Sequence, residues 1–246
     1  RMRGLVIDCS VIYGHTTVRI GLWASAKTMR FEGKRVLITG GAGFLGSHVA
    51  EQLVAEGASV VLVDDFSTGR RENIAALLAG DHASLIEGNC NDAATIDHCF
   101  ADGTYDYVIH YAALLGVKAI IERPLDVYRD LDGMRLFFDR CEKEKVGKIL
   151  FASSSEVYGE PVELPEREDG ALNVHTKDAY GIVKLAGEQL LRVYADRGMQ
   201  TLSMRFFNVY GPRQVSSAYG FVVGIFITQA LMGKPLTVFG DGSQTR

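Results

Sequence analysis

The stretch Thr39-Gly40-Gly41-Ala42-Gly43-Phe44-Leu45-Gly46 decides how this chain folds. Gly40, Gly43 and Gly46 stand three apart, directly after the apolar run Arg35-Val36-Leu37-Ile38-Thr39 and at the head of a helical stretch from Gly46 to Glu56. The first glycine permits a tight turn and the second lets a pyrophosphate approach the backbone. The third permits close packing of the helix, whose N-terminus then faces the anion. Such glycines alone are weak evidence. Placed between a strand and a helix, they read as a phosphate cradle.

The next run, Ser59-Val60-Val61-Leu62-Val63-Asp64, completes a βαβ unit. It ends on an acidic residue near the offset of about 20 residues expected of a carboxylate that accepts the adenosine ribose hydroxyls. A carboxylate at Asp64 repels a 2′-phosphate, so NAD is favoured over NADP. Arg70 and Arg71, a few residues on, are the feature that keeps NADP in view. Asp64 and Asp65 could simply start a turn into Phe66-Ser67-Thr68-Gly69, but a turn leaves the cradle upstream unexplained.

Working outward, buried-strand candidates follow at Ser84 to Glu87, Tyr107 to His110, Lys148 to Phe151 and Thr201 to Arg205, with helical segments between them. That alternation predicts an α/β fold, a Rossmann-type doubly wound parallel sheet. After Asn208 the character changes. Tyr210-Gly211-Pro212-Arg213 breaks the chain, an apolar helix is expected near Phe221 to Met232, and a turn leads into Leu236-Thr237-Val238-Phe239. The expected organisation is an NAD-binding domain over residues 30–208 and the start of a small, incomplete substrate-binding lobe over 209–246. Residues 1–29 are expected to be a tag or upstream extension. Their basic start and the Ala24-Ser25-Ala26 end loosely resemble a secretory signal, but Asp8, His15 and Arg19 interrupt the apolar stretch and Met29 is a natural start.

The 246 residues are 47% hydrophobic and 23% charged, enough for one sizeable core. A formal net charge of -4 offers no platform for a polyanion, so nucleic acid is not an expected partner. No apolar run approaches the roughly 18 residues of a membrane span. Cys9, Cys90, Cys99 and Cys141 lie far apart with no C-x-x-C pair, which argues against a zinc site or a disulfide framework and points to the reducing cytoplasm.

Tyr180-Gly181-Ile182-Val183-Lys184 sets a phenol and an ammonium at i and i+4, on one face of a helix. A lysine cation beside a phenol favours the phenolate and lowers its pKa from about 10, making Tyr180 a usable base. Taken alone the pair would more often be an exposed amphipathic one. Upstream, Phe151-Ala152-Ser153-Ser154-Ser155-Glu156-Val157-Tyr158-Gly159 leaves the carboxyl end of a strand, where open α/β sheets bind ligands and hydroxyls can orient a substrate alcohol.

These residues together resemble the extended short-chain dehydrogenase/reductases of the NAD-dependent nucleotide-sugar epimerase/dehydratase type. The resemblance spans Lys34 to Arg246. It rests on TGGAGFLGSH (39–48), DDFSTG (64–69), HYAA (110–113), SSSEVYG (153–159), YGIVK (180–184), RFFNVYGPR (205–213) and GDGSQTR (240–246). It implies NAD as cofactor, a nucleoside diphosphate sugar as substrate, no metal, and a homodimer formed through a helix pair that includes the helix bearing Tyr180. It further implies that Tyr180 takes the proton of the sugar 4-hydroxyl while hydride leaves C-4, that Lys184 lowers the phenol's pKa and holds the nicotinamide ribose, and that Ser154 bonds the same hydroxyl. Cofactor contacts are expected from Gly40, Gly43, Phe44, Leu45, Asp64, Asp65, Phe66, Ser67, Thr68, Gly69, Asn89, Cys90, Tyr111, Ala112, Ala113 and Lys118. Substrate contacts are expected from Ser154, Ser155, Asn208, Arg213 and Arg246.

Two positions depart from the family's common pattern. Gly88-Asn89-Cys90 stands where many relatives carry Asp after the glycine, and Asp130-Leu131-Asp132-Gly133-Met134 stands where Asn-x-x-Gly-Thr is usual. Among the branches that share a 4-keto intermediate, Ser155-Glu156 resembles dehydratases and uronate decarboxylases, since a carboxylate near C-5 can act as a base once a 4-ketone acidifies that carbon. Lys118 in Gly116-Val117-Lys118-Ala119 resembles an epimerase segment. A non-catalytic NAD-binding protein and a simple dehydrogenase are the competing readings, because a fold does not establish function.

Overall fold

A computed structural model describes residues 30–113, 124–160, 162–174, 178–215, 222–238 and 240–242. Strands β1 (Arg35–Thr39), β2 (Ser59–Asp64), β3 (Ala83–Glu87), β4 (Tyr107–His110), β5 (Lys148–Ser154) and β6 (Thr201–Phe206) form one sheet in the order β3-β2-β1-β4-β5-β6. Every neighbouring pair is parallel. The helices described are α1 (Phe44–Ala55), α2 (Ala75–Leu78), α3 (Ala93–Cys99), α4 (Pro124–Lys143), α5 (Ala179–Asp196) and α6 (Val222–Leu231). The chain runs outward from β1 to β3 and then crosses back to β4, so the strand order reverses beside β1. Ligands of open α/β sheets sit at the carboxyl ends of the strands at that point.

Period-two alternation splits β1 between two cores. Val36 and Ile38 pack with Val60, Leu62, Ala50 and Leu53 on the α1 side, whereas Leu37 joins Val108, Ile149, Phe137, Phe138, Phe151 and Leu191 on the side of α4 and α5. His110 belongs to the second core. Its ring stacks 5.1 Å from Phe137 and 6.0 Å from Phe151, Nδ1 lies 2.9 Å from Thr39 Oγ1, and burial pushes its pKa down to about 3. It is a neutral packing residue.

Two boundaries differ by more than one residue from the sequence expectation. Helix α1 opens at Phe44, because Gly43 is already its extended N-cap and the turn closes inside the glycine run. Strand β5 continues past its apolar run to Ser154, since β6 goes on pairing with it as far as Ser154 opposite Phe206. Partner pairing outweighs the weak strand preference of the serines.

Beyond β6 the chain returns to α1. The His48 Nε2–H donates to the Pro212 carbonyl at 3.0 Å, and Arg213 Nη2 lies 2.5 Å from Glu51 Oε1. Helix α6 buries none of its residues fully. Residues 1–29 lie outside those described. No helix among the described residues is long and apolar enough to cross a membrane.

Candidate active site

The cradle sits at the carboxyl edge of β1. Gly40 takes φ 68°, a left-handed conformation that favours glycine. A Cβ on Gly46 would overlap the Gly40 carbonyl oxygen and lie 2.9 Å from the Gly41 Cα, so only glycine lets α1 settle this close to the turn. Gly43 caps α1 without a side-chain hydrogen bond, and the first turn carries no acidic residue. The helix N-terminus therefore keeps backbone N–H donors and its positive dipole end available for an anion.

Asp64 closes the cradle on one side. Its Oδ2 accepts from the Ala42 N–H and its Oδ1 from the Phe66 N–H, both at 2.8 Å. Burial raises its pKa, and those backbone bonds oppose the rise. Asp65 is exposed and accepts from the Ser67 N–H at 2.9 Å and from Asn89 Nδ2 at 3.1 Å. The side-chain oxygen of Asn89 in turn accepts from the Asn91 N–H at 2.9 Å. Arg71 is held by Glu87 at 2.5 Å and lies 4.2 Å from the Phe66 ring centroid. The donor set fits NAD: an uncapped helix N-terminus and glycine turn for the pyrophosphate, and a carboxylate with free lone pairs for unphosphorylated ribose hydroxyls. Asp64 next to a 2′-phosphate would instead be like charge against like.

Tyr111, Ala112 and Ala113 leave β4 beside the cradle. Tyr111 donates its N–H to the Thr39 carbonyl at 3.2 Å, and the Ala112 N–H donates to Thr39 Oγ1 at 3.2 Å. Cys90 is buried, and desolvation pushes its thiol up to about 12, so it is a packing group. The departure at residue 130 is satisfied locally. Asn91 Nδ2 donates to Asp130 Oδ1 at 2.8 Å, where Gly133 lets α4 close on Asn91.

Asp178 caps α5, its side chain accepting from the Gly181 N–H at 3.0 Å. This fixes where the helix begins and so where Tyr180 and Lys184 point. The Ser154 hydroxyl stands near enough to the Tyr180 phenol to favour its ionisation, and Ser154 Oγ accepts the Glu156 N–H at 3.2 Å. Lys184 is only 3% exposed, with Nζ 5.5 Å from the Tyr180 ring centroid and 4.9 Å from that of Phe151. Contrary to the sequence expectation, the phenol is not lowered in this state. Burial pushes it up to about 12, Ser154 pulls it down, and the nearby carboxylates of Glu156, Asp130 and Asp178 raise it further. Lys184 is itself pushed down to about 8 by burial. Low dielectric acts against both charges, and in this state that outweighs their mutual attraction.

The structure thus brings Ser154, Ser155, Glu156, Tyr180 and Lys184 to one edge of the sheet, with the cradle residues and Asp64 to Gly69 across the strand reversal. Asn208 stands exposed just past β6. Arg213 lies against α1, paired with Glu51. Lys118 and Arg246 lie outside the described residues. Sequence reasoning missed Asp178, Ser153, Glu188 and Arg205. The four-residue spacing Tyr180, Lys184, Glu188 was a usable signal for one of them. Among the described residues, no three His, Cys, Asp or Glu side chains gather as metal ligands.

A 3-2-1-4-5-6 parallel sheet with an uncapped glycine cradle, a carboxylate at the end of β2 and a Ser/Tyr/Lys cluster defines a nicotinamide-dinucleotide protein of the short-chain dehydrogenase/reductase class. The chain belongs to the NAD dependent epimerase/dehydratase family, whose model matches residues 36–246. It is 38% identical over 220 residues to a UDP-N-acetyl-alpha-D-glucosaminuronate decarboxylase of Bacillus cytotoxicus, covering 87% of this chain and 66% of that protein. It is 35% identical over 221 residues to a UDP-glucose 4-epimerase of Azospirillum brasilense, covering 86% and 61%. The structure of a UDP-glucose 4-epimerase from Thermotoga maritima with UDP-glucose superposes with a TM-score of 0.77 at 32% identity, over 85% of this chain and 66% of that one. The chain spans a little under two thirds of the length of these relatives.

Proposed function

We propose that this chain forms the NAD-binding part of an enzyme that transiently oxidises C-4 of a UDP-sugar. The observation that carries the reading is the buried Tyr180 phenol, with Lys184 one turn on at 5.5 Å from its ring centroid and the Ser154 hydroxyl near enough to favour its ionisation, in the same sheet that carries the glycine cradle. NAD supplies the hydride acceptor at C-4 and returns the hydride later. The chain's own residues handle the proton. Tyr180 accepts it from the 4-hydroxyl, Ser154 orients that hydroxyl, and Lys184 places a cation near the developing phenolate. Asn208 and Arg246 hold the diphosphate, as the family resemblance implies, and the uridine nucleotide is taken from the relatives' names.

Glu156 favours a decarboxylase or dehydratase branch over 4-epimerisation. It follows Ser154 by two residues, and its carboxylate is near enough to the phenol to disfavour its ionisation. A 4-epimerase only presents the other face of the ketone and has no use for a second acid/base group there. A homodimer through α4 and α5 is part of the same reading. Leu136 and Val193, on those two helices, stand 41% and 55% exposed.

The test incubates the full-length protein with UDP-glucuronate, UDP-N-acetylglucosaminuronate, UDP-glucose and UDP-N-acetylglucosamine and weighs the products. Loss of carbon dioxide or of water is expected. A product of unchanged mass would make it a 4-epimerase, and no product from any of the four would remove the reading.

A further inference from the structure

Ser153 immediately precedes Ser154, the serine nearest the Tyr180 phenol in the proposed reaction, and is 2% exposed. Its Oγ donates to Glu188 Oε1 at 2.5 Å. Glu188 lies one turn beyond Lys184 and two beyond Tyr180, so the three share a side of α5. The same carboxylate takes a bidentate bond from Arg205 on β6, with Nε to Oε1 at 2.9 Å and Nη2 to Oε2 at 2.8 Å. Arg205 stands opposite Ser153 in the β5–β6 register. Its Nη1 reaches on to the Glu168 carbonyl at 3.3 Å, and its guanidinium lies 4.8 Å from the Tyr158 ring centroid.

One carboxylate thus joins the helix that carries Tyr180 and Lys184 to the strand end that carries Ser154 and the strand end that leads to Asn208. The reach depends on Gly187. A Cβ there would lie 2.5 Å from Phe151 Cζ, so glycine lets α5 come down onto β5. The Glu188 and Arg205 side chains are 9% and 16% exposed, and charge-assisted, bidentate bonds in that setting are geometrically strict. The ordinary reading of such a pair is a staple between α5 and the sheet. Its position argues for more, because the peptide between Ser153 and Ser154 is rigid and a shift of one serine carries the other with it.

We propose that Glu188, through its shared bonds to Ser153 and Arg205, is a positioning residue that fixes where the Ser154 hydroxyl stands relative to the Tyr180 phenol. This deepens the proposed function, since it rests on Tyr180 as the base. The groups that face the phenol are Ser154 at the end of β5, Glu156 just after it, Asp130 from α4, and Asp178 and Lys184 from its own segment. None of them is altered by substitution at 153 or 188.

The experiment follows the titration of Tyr180 in the full-length, NAD-loaded protein by NMR of ζ-carbon-labelled tyrosine, with Tyr180→Phe identifying the signal. Ser153→Ala leaves the Glu188–Arg205 pair in place and should raise the midpoint by about one pH unit, as the phenolate loses a well-placed donor. Glu188→Asp keeps the charge but draws the carboxylate back, and should move the midpoint the same way. Ser153→Thr keeps the hydroxyl and should restore it. An unchanged midpoint in Ser153→Ala, even with a lowered melting temperature, would overturn the proposal. So would a shift in Ser153→Ala that Glu188→Asp does not share. The titration needs no sugar, so a failure to find C-4 oxidation alongside a shifted midpoint removes the proposed reaction and leaves the clamp standing.

Discussion

The Lys184 ammonium lies 5.5 Å from the centroid of the Tyr180 ring, one helical turn away, with 3% of the lysine exposed. In so dry a place a charge on either group favours the opposite charge on the other. Burial nevertheless holds the phenol up to about 12 and the lysine down to about 8. The pair therefore waits as a protonated phenol beside a lysine that titrates near working pH. An oxidised nicotinamide, which carries a positive charge, would tip Tyr180 toward phenolate when it is bound and withdraw that help once reduced.

Turnover should therefore rise with pH through the value of Tyr180 in the NAD complex. Lys184→Met keeps the packing and removes the cation, so the acid limb of kcat should move to higher pH and kcat at neutral pH should fall by about 10² or more. A pH profile with the limb unmoved would show that the lysine does not act on the phenol.

His110 sets a stability dependence at acid pH. Its folded value of about 3 lies below the ordinary 6.5, so below pH 6.5 the unfolded chain binds the extra proton and the folded one does not. The stability tied to neutral His110 is whole above about 6.5 and is lost as pH falls toward 3, with a slope of up to about 1.4 kcal/mol per pH unit. Urea unfolding from pH 7 to 4 should show this slope, and His110→Phe should flatten it.

Gly46→Ala should cost about 3 kcal/mol of stability, because the new methyl group overlaps the Gly40 carbonyl oxygen and backbone must move. NAD affinity should fall with it. A variant unfolding at the same urea concentration as the parent would mean that α1 does not pack as described.

Asp64→Ser should weaken NAD binding while improving NADP binding only slightly, since Arg71 remains tied to Glu87. Adding Glu87→Gln releases that arginine and should raise NADP affinity further. Equal affinities of the unsubstituted protein for the two cofactors, read by calorimetry, would remove Asp64 as the discriminating residue.

Much of this was legible in the sequence because it is local. The strand-glycine-helix order, Asp64 at the end of β2 and the Tyr180/Lys184 spacing each depend on neighbours within a few residues or one turn. What escaped depends on contacts distant in sequence. Ser153, Glu188 and Arg205 meet only when β5, α5 and β6 assemble, and Arg213 finds Glu51 only because the chain after β6 folds back to α1. The direction of the Tyr180 shift escaped for the same reason, since desolvation by the assembled core outweighs a lysine one turn away.

The most direct test of the central claim follows one deuterium. The full-length protein, loaded with NAD, is given a UDP-sugar substrate deuterated at C-4 for a single turnover. The deuterium should appear on the nicotinamide and then return to C-4 of the product, and Tyr180→Phe should slow its transfer by about 10² to 10⁴. Product that forms while the deuterium never leaves C-4, or transfer at full rate in Tyr180→Phe, would contradict the account.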